Sequence, residues 1–316
     1  DPCLLRGGHK ENAYEVMWNR LNRGQQATVH LKTFYRRSDF SDERYKPVFS
    51  PIACPGQRAR IECAMEKWNG ESVCLTPFVR DGITGRLCLL TPQILRDEGE
   101  YAFDFLLPSV ESGVISEVGL HLEGNSPRIT YDAGRLLIRS LRIFGKAEYT
   151  LRLGMMPEEF MSILPFSHNH GAWRVEAGKL QVLALGHAEA MTGNYYMRDL
   201  SVSAAVCARN GTSHLLSLRV QGTRRGYYAG FDGQGRAAIL RRFGGRLERL
   251  VSADFAWELD REYEFCFTAC GEELTLCIDG REVVCARDGA LRHGMAGYAL
   301  CGDGRAEFGD MTIKEL

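Results

Sequence analysis

From Gln25 onward the chain is written in short runs of alternating apolar and polar residues, or of β-branched and aromatic residues, closed by Gly, Asp, Asn or Pro. "ATVHLKTFYRR", "ARIECAME", "SVCLTPFV" and "EYAFDFLL" are examples from the first half; "HLLSLRVQG", "GYYAGF", "RAAILRRF" and "EYEFCFTAC" are examples from the second. A period of two is the side-chain period of a strand, and turns spaced roughly every 8–12 residues predict β-sandwiches rather than an α/β fold. The sharpest local signal is Asp279-Gly280 inside "LTLCIDGREVVC", a two-residue hairpin turn between alternating runs. Two stretches read as helical. "KENAYEVMWNRLNRG" (Lys10 to Gly24) puts Ala13, Val16, Met17 and Leu21 on one helical face and stops at a glycine, while "MMPEEFMSIL" (Met155 to Leu164) suits one or two turns between Pro157 and Pro165. The pattern therefore predicts an all-β chain of two tandem β-sandwich domains with a short N-terminal helix. Its expected parts are a helical segment over 1–24, a first sandwich over 25–153, a linker over 154–165 and a second sandwich over 166–316.

Composition narrows the classes of partner. A chain of 316 residues, 45% hydrophobic and 25% charged, suits two folded domains. A net charge of −1 supplies no basic field, so nucleic acid is not an expected partner. No apolar run reaches the length of a membrane-spanning helix, and no leader pattern opens the chain. The first residue is Asp1, which suggests a processed chain or a piece of a longer one. The eleven cysteines include no C-x-x-C, and Cys63, Cys74, Cys88, Cys207, Cys266, Cys277 and Cys285 lie in apolar runs. That usage predicts free thiols in a reducing compartment, hence a cytoplasmic protein, with cross-strand disulfides as the lesser alternative.

Several stretches carry possible chemistry. "GFDGQGRAA" spaces Gly233, Gly235 and Ala238 as a dinucleotide-binding turn does. Such a turn cradles a phosphate only when a helix of useful length starts there within a βαβ unit. Here "RAAILRRF" ends at Gly244-Gly245 and another strand-like run follows, so the stretch reads as a strand–turn–strand meander and no cofactor is expected. The acidic cluster "DEGEYAFD" (Asp97, Glu98, Glu100, Asp104) lacks the strand spacing of a sandwich glycosidase and reads as a solvated turn. His168 and His170 in "FSHNHGAW" share one side of an extended segment, as paired metal ligands do, but no third ligand is evident and a surface role is expected. His30 and His121 read as packed strand residues. With no nucleophile elbow, P-loop or H-E-x-x-H, no catalytic and no metal-binding residue is expected.

Sugar recognition needs flat aromatic faces beside planar polar groups. "TGNYYMRD" supplies Asn194, Tyr195, Tyr196 and Arg198, and "TRRGYYAG" supplies Arg224, Arg225, Tyr227 and Tyr228. Arg241, Arg242 and Trp257 are further candidates, with Trp68, Arg80 and Arg135 as weaker ones in the first domain. If each Tyr-Tyr pair lies in a strand, one ring points inward and the other outward.

The order of motifs over 166–316 resembles a concanavalin A-like (laminin G-type) sandwich, nearest to the domain family that includes 3-keto-disaccharide hydrolases. The matching pieces are "WRVEAGKLQV", "NYYMRDLSVSAAV", "RRGYYAGFD", "WELDREYEFCFTACGEELTLCIDGREV" and "GMAGYALCGDGRAEFGDMTIKEL". Residues 45–153 resemble a galactose-binding-like jelly-roll carbohydrate-binding module, on "SPIACPGQRARIECAME", "ISEVGLHLEG" and "GRLLIRSLRIFGKAEYTLRL". Many such modules hold a structural calcium with an Asp near the closing strand. This chain has Arg139 and Ser140 in that region, so the resemblance does not carry calcium over. The tandem order is similar to the C-terminal part of some bacterial ADP-ribosylglycohydrolase-type proteins, whose all-helical catalytic domain comes first and whose acidic metal motifs are absent from this sequence. These resemblances imply a non-catalytic accessory region with a glycan ligand and a catalytic domain upstream in the native chain. The alternatives are a glycoside or keto-sugar hydrolase with its site on the concave face of the second sandwich, and a structural or oligomerising module.

Overall fold

The structure, a computed structural model, describes residues 6–10, 12–36, 51–127, 132–159 and 162–316. Its regular elements are β-strands in antiparallel sheets, apart from one 3-10 turn at Leu153–Met155. The described residues of 1–33, 53–110 and 115–145 form one compact unit, and those of 34–52, 111–114 and 146–316 form a second.

In the first unit one sheet runs in the order Arg6–Lys10, Ala13–Trp18, Ala133–Phe144, Arg58–Asn69, Gly99–Leu106. The other runs Gln26–Lys32, Ile115–Gly124, Val73–Asp81, Leu87–Leu89, with Gln93–Leu95 also paired to Val73–Asp81. Inward residues of both sheets, among them Trp18, Met65, Leu75, Leu120 and Leu136, make one core, so the unit is a sandwich. The Trp18 indole donates to Asp132 at 3.1 Å, giving the buried carboxylate a partner and pinning the chain entry to the sheet.

The N-terminal helix is not formed. Arg6–Lys10 and Ala13–Trp18 are paired strands, and Ala13–Trp18 also pairs with Ala133–Phe144. Ala13 and Val16 are buried in either geometry, so their spacing did not discriminate. Trp18 decides, because only the extended chain places it and Val16 on one core-facing side. Pairing to a preformed sheet thus outweighs a weak helical propensity. The second helical expectation fails likewise: after the 3-10 turn, Glu158–Glu159 pairs with Ser162–Ile163. A third correction concerns "EYTL". Glu148–Leu151, expected as the last strand of the first sandwich, pairs with Met311–Glu315 inside the second unit.

The second unit is the larger sandwich. A nine-stranded sheet includes Ala172–Glu176, Lys179–Ala184, Gly304–Phe308, Leu200–Gly211, Glu262–Cys270, Glu273–Ile278 and Arg281–Arg287 in that order. A seven-stranded sheet runs Ser167–Asn169, His187–Thr192, Met295–Cys301, Ser213–Val220, Gly226–Asp232, Arg236–Phe243, Arg246–Asp254. The two meet through aromatic contacts: Tyr298 stacks on Phe308 at 4.4 Å, and Phe231 meets Phe265 edge-on at 4.9 Å. Asp279 and Gly280 both take positive φ, 49° and 75°, as a two-residue hairpin turn requires. The G-x-G-x-x-A glycines form the turn between Gly226–Asp232 and Arg236–Phe243, two antiparallel neighbours, so the geometry is a meander and not a strand-to-helix crossing. The described cysteines are free thiols.

Candidate functional site

One end of the second unit gathers the loops between its strands. Arg219 holds them together: its buried guanidinium donates to the carbonyls of Arg198 (2.8 Å), Gly271 (2.8 Å) and Leu291 (3.1 Å) and to Asp199 (3.1 Å). Burial works against its charge, and the Asp199 carboxylate favours it. Gln221 Nε2 donates to the His293 carbonyl at 2.9 Å, and the Gly294 amide donates to the Met197 carbonyl at 2.9 Å. Segments 193–199, 221–225 and 288–294 are therefore cross-tied.

On this rim Tyr195 is 41% exposed and Tyr196 77% exposed, with Tyr195 edge-on to the His293 ring at 4.9 Å and Tyr196 stacked at 6.4 Å. Both tyrosines face solvent because the segment is a turn and not a strand, so the alternation rule does not apply. Arg198 and Arg224 are exposed in the same loops.

Beneath the rim lies the face of the seven-stranded sheet turned away from the core. Cross-strand register puts His187, Glu189, Cys301, Ala299, Leu215, Ser217, Tyr228, Ala238, Leu240 and Arg242 on it. Four strand spacings separate the His187 strand from the Arg242 strand, about 19 Å in a flat sheet. Arg242 Nη1 nevertheless lies 3.2 Å from His187 Nδ1, and the Tyr228 hydroxyl lies 2.6 Å from Glu189 Oε1 across three spacings. Neither pair spans a flat sheet comfortably, so the sheet curls and this face is concave. Small residues on it (Gly297, Ala299, Gly230, Ala238) allow the curl, and Leu215, Tyr228, Leu240 and Ala299 pack together within it.

The polar groups of the concave face are arranged around Glu189, which is fully buried. Tyr228 donates to Oε1, and the Arg224 backbone N–H donates to Oε2 at 3.2 Å. Burial first, and the Glu189 charge next, push the Tyr228 phenol far up, so it remains a proton donor. An arginine only donates, so its contact makes His187 Nδ1 an acceptor and puts the imidazole proton on Nε2. That nitrogen is 3.7 Å from Glu189 Oε2, too far for a hydrogen bond. Among the described residues, His187 Nε2, Ser217 Oγ and Arg242 Nε are buried without a hydrogen-bond partner.

The candidates of the sequence thus separate. Tyr195, Tyr196, Arg198 and Arg224 share the rim. Tyr228 stands in the concave face but is buried, contributing its hydroxyl and no free ring. Tyr227 is also buried, against the expectation that one ring of its pair stays open. It sits on the core side with its hydroxyl on Asp288, its phenol pushed up to about 12 by burial and then by that bond. Arg241 is occupied by Asp288 and Glu248. Trp257 lies at the far end, stacked on Phe231 at 4.7 Å and donating to the Gly233 carbonyl at 3.0 Å, where it closes the glycine turn. In the first unit, Arg80 pairs with Glu117, Arg135 with Glu15 and Glu66, and Trp68 is exposed. Glu98 accepts from the Lys67 amide, while Glu100 and Asp104 pair with Arg139 and Arg58.

His187, Glu189, Ser217 and His293 were not singled out from sequence. The available signal was "HAEAM", in which a histidine and a glutamate alternate with alanines in an otherwise apolar strand. The side chain of His168 lies outside the described residues; the His170 ring is 6.1 Å from that of His187. No group of three or more His, Cys, Asp or Glu side chains is placed to hold a metal among the described residues. No helix there is long and apolar enough to cross a membrane.

No family model and no curated protein matches the chain. Solved structures resemble about half of it. A carbohydrate-binding module, CBM66 from Bacillus subtilis, is 18% identical, with 47% of this chain and 94% of that one covered at a TM-score of 0.45. The VIP36 exoplasmic/lumenal domain in its Ca2+/mannose-bound form is 12% identical over 48% of this chain and 83% of that one, at 0.38. Domain 4 of AbnA, a GH43 extracellular arabinanase from Geobacillus stearothermophilus, in complex with arabinotriose, is 11% identical over 49% and 86%, at 0.34.

Proposed function

We propose that the second unit binds carbohydrate without transforming it, at the concave face and the rim above it. One observation carries this reading: His187 Nε2, Ser217 Oγ and Arg242 Nε, three buried polar atoms without partners among the described residues, belong to the same concave face as the Glu189 carboxylate. Unpaired buried polar groups each cost about 1–3 kcal/mol, so they suit a ligand that satisfies them. The set offers two N–H donors, a hydroxyl and a carboxylate with spare acceptor capacity. A sugar hydroxyl both accepts and donates, and the 3.7 Å gap between His187 Nε2 and Glu189 Oε2 suits one hydroxyl oxygen bridging the two. Tyr196 and Tyr195 offer ring faces to the apolar side of a sugar at the rim. Glu189 and the three unpartnered atoms are buried in the unliganded protein, so a ligand reaches them only as the 221–225 loop, whose Arg224 amide covers Glu189, moves aside.

Two positioned carboxylates are the minimum for ordinary glycoside hydrolysis. Asp232, which cross-strand register with Ser213 puts on the same face, is engaged by Arg249 and Arg236, which favours binding over hydrolysis. We infer further that such a module serves a larger hydrolase, a reading supported by its sequence resemblance to 3-keto-disaccharide hydrolase sandwiches and to the accessory part of ADP-ribosylglycohydrolase-type proteins. We also infer that it is cytoplasmic, a reading supported by the free thiols of the described cysteines. The test is a glycan array on this chain, followed by titration of the best glycan against Tyr196→Ala and Ser217→Ala. Each substitution is expected to weaken binding about 5–10-fold, the worth of one hydrogen bond or stacking contact. Binding of no glycan, or wild-type affinity in both variants, would overturn the assignment.

A further inference from the structure

The geometry points to a second, independent ligand site on the opposite sheet: a groove that takes an acidic oligosaccharide, one bearing carboxylate or sulfate groups. The groove has a volume of about 510 Å³ and crosses strands Ala172–Glu176, Lys179–Ala184, Gly304–Phe308 and Leu200–Gly211 on the outer face of the nine-stranded sheet. That size lies within the range of small-ligand pockets, about 300–1,000 Å³.

Its floor is a ladder of planar polar groups. Arg174, Gln181 and Glu307 face one another in register across three strands. Arg174 donates to Gln181 Oε1 from Nε (3.1 Å) and Nη2 (3.0 Å), and Gln181 Nε2 donates to Glu307 Oε1 at 3.3 Å. An irregularity between Ala208 and Asn210 brings Arg209 into line, where it donates to Glu307 Oε2 at 2.8 Å and to Asp260 at 2.7 Å. The ladder spans three strand spacings, about 14 Å, and its mutual bonds hold the groups flat before any ligand arrives.

Charge selects the ligand class. Three guanidinium groups line the groove. Glu176 pairs with Arg174 at 2.8 Å, and Glu307 and Asp260 pair with Arg209, which leaves Arg305 as the groove's uncompensated cation among the described residues. Arg305 is exposed, and its side chain has no ion-pair or hydrogen-bond partner among the described residues. It stands one rung from the ladder, opposite Leu183, which is partly exposed and lends an apolar edge. A saccharide places hydroxyls on the ladder and its anionic group on Arg305, where a planar fork matches carboxylate or sulfate.

The experiment titrates the chain with an oligogalacturonate, a sulfated oligosaccharide and a neutral oligosaccharide of equal length, using wild type, Arg305→Gln, Arg174→Gln, Arg246→Gln and Tyr196→Ala. Arg305 is exposed, so its variant is expected to keep the wild-type Tm. At least one acidic probe is expected to bind more tightly than the neutral one, and the tighter of the two names the anionic group. Arg305→Gln and Arg174→Gln should each weaken it about 5–10-fold, with a further loss as salt rises from about 0.05 to 0.5 M. Arg246→Gln and Tyr196→Ala should leave it unchanged. The proposal fails if neither acidic probe binds, or if the neutral probe binds equally well. It also fails if Arg246→Gln is as damaging, which would mark general surface charge, or if Tyr196→Ala abolishes acidic binding while Arg305→Gln does not. A single-stranded oligonucleotide that outcompetes both saccharides with the same Arg305 dependence would overturn the saccharide assignment.

Discussion

Removing the phenolic oxygen of Tyr228 tests the concave face directly. In Tyr228→Phe the ring stays and one donor to a buried carboxylate disappears. Tyr228 and Glu189 are both fully buried and joined at 2.6 Å, leaving Glu189 with the Arg224 N–H at 3.2 Å and His187 Nε2 at 3.7 Å. Water does not reach the carboxylate to replace the lost bond, so the cost follows hydrogen bonds to charged groups, about 1.5–3 kcal/mol, without a cavity contribution. We expect about 2 kcal/mol, read as a lower urea midpoint with unchanged slope, or as about 4–8 °C of Tm for a unit of this size. Tyr228→Phe combined with Glu189→Leu should recover much of that loss, because removing both partners leaves no orphaned charge. A loss below about 0.5 kcal/mol for the single variant would refute the reasoning. It would mean that the Tyr228–Glu189 bond does not organise the face.

Three other outcomes follow from the same geometry. Trp257→Ala removes a ring stacked on Phe231 and the indole bond to Gly233, so it should cost about 2–3 kcal/mol while glycan affinity stays unchanged; the reverse result would return Trp257 to the binding site. Gly297→Ala would put a Cβ 2.1 Å from the Ala190 carbonyl, a backbone atom that cannot step aside, so a loss above about 3 kcal/mol or insoluble protein is expected. A variant with wild-type unfolding would contradict the register of this strand. Burial pushes the Cys301 thiol up to about 11 and the Cys63 thiol up to about 12, so both stay protonated and slow to alkylate at pH 8. Cys301 labelling should rise with pH until it nears that value, while exposed Cys270 and Cys285 label early. Mass-mapped labelling of native protein checks this, and equal rates at pH 8 would contradict it.

Much of the architecture was legible in local pattern. The run "EYEFCFTAC" alternates, and Glu262–Cys270 buries Tyr263, Phe265, Phe267 and Ala269 as that alternation dictates. Asp279-Gly280 turns where its chemistry says it must, because positive φ at both positions is a property of the residues themselves. The glycines of "GFDGQGRAA" were correctly read as a hairpin turn, since their neighbours carry no helix. The errors fell where two local readings were compatible with one string. Lys10–Gly24 satisfied a helical spacing and a strand spacing together, and only the partner Ala133–Phe144, more than a hundred residues away, chose between them.

What the sequence alone determined is therefore the class of fold and most of its turns, because period-two burial and turn chemistry act within a few residues. It also brought forward the rim: Tyr195, Tyr196, Arg198 and Arg224 cluster in two short stretches. At the centre of the site the sequence offered Tyr228 and Arg242 but not their partners Glu189 and His187, and tertiary structure decided how they meet. His187 and Arg242 are 55 positions apart and four strands apart, and only a curled sheet brings them within hydrogen-bonding distance. The same curl buries Tyr228, so a residue that reads as an open aromatic face acts instead as the donor that holds Glu189. No pattern of one strand encodes that curvature, which arises from how all seven strands twist and pack together.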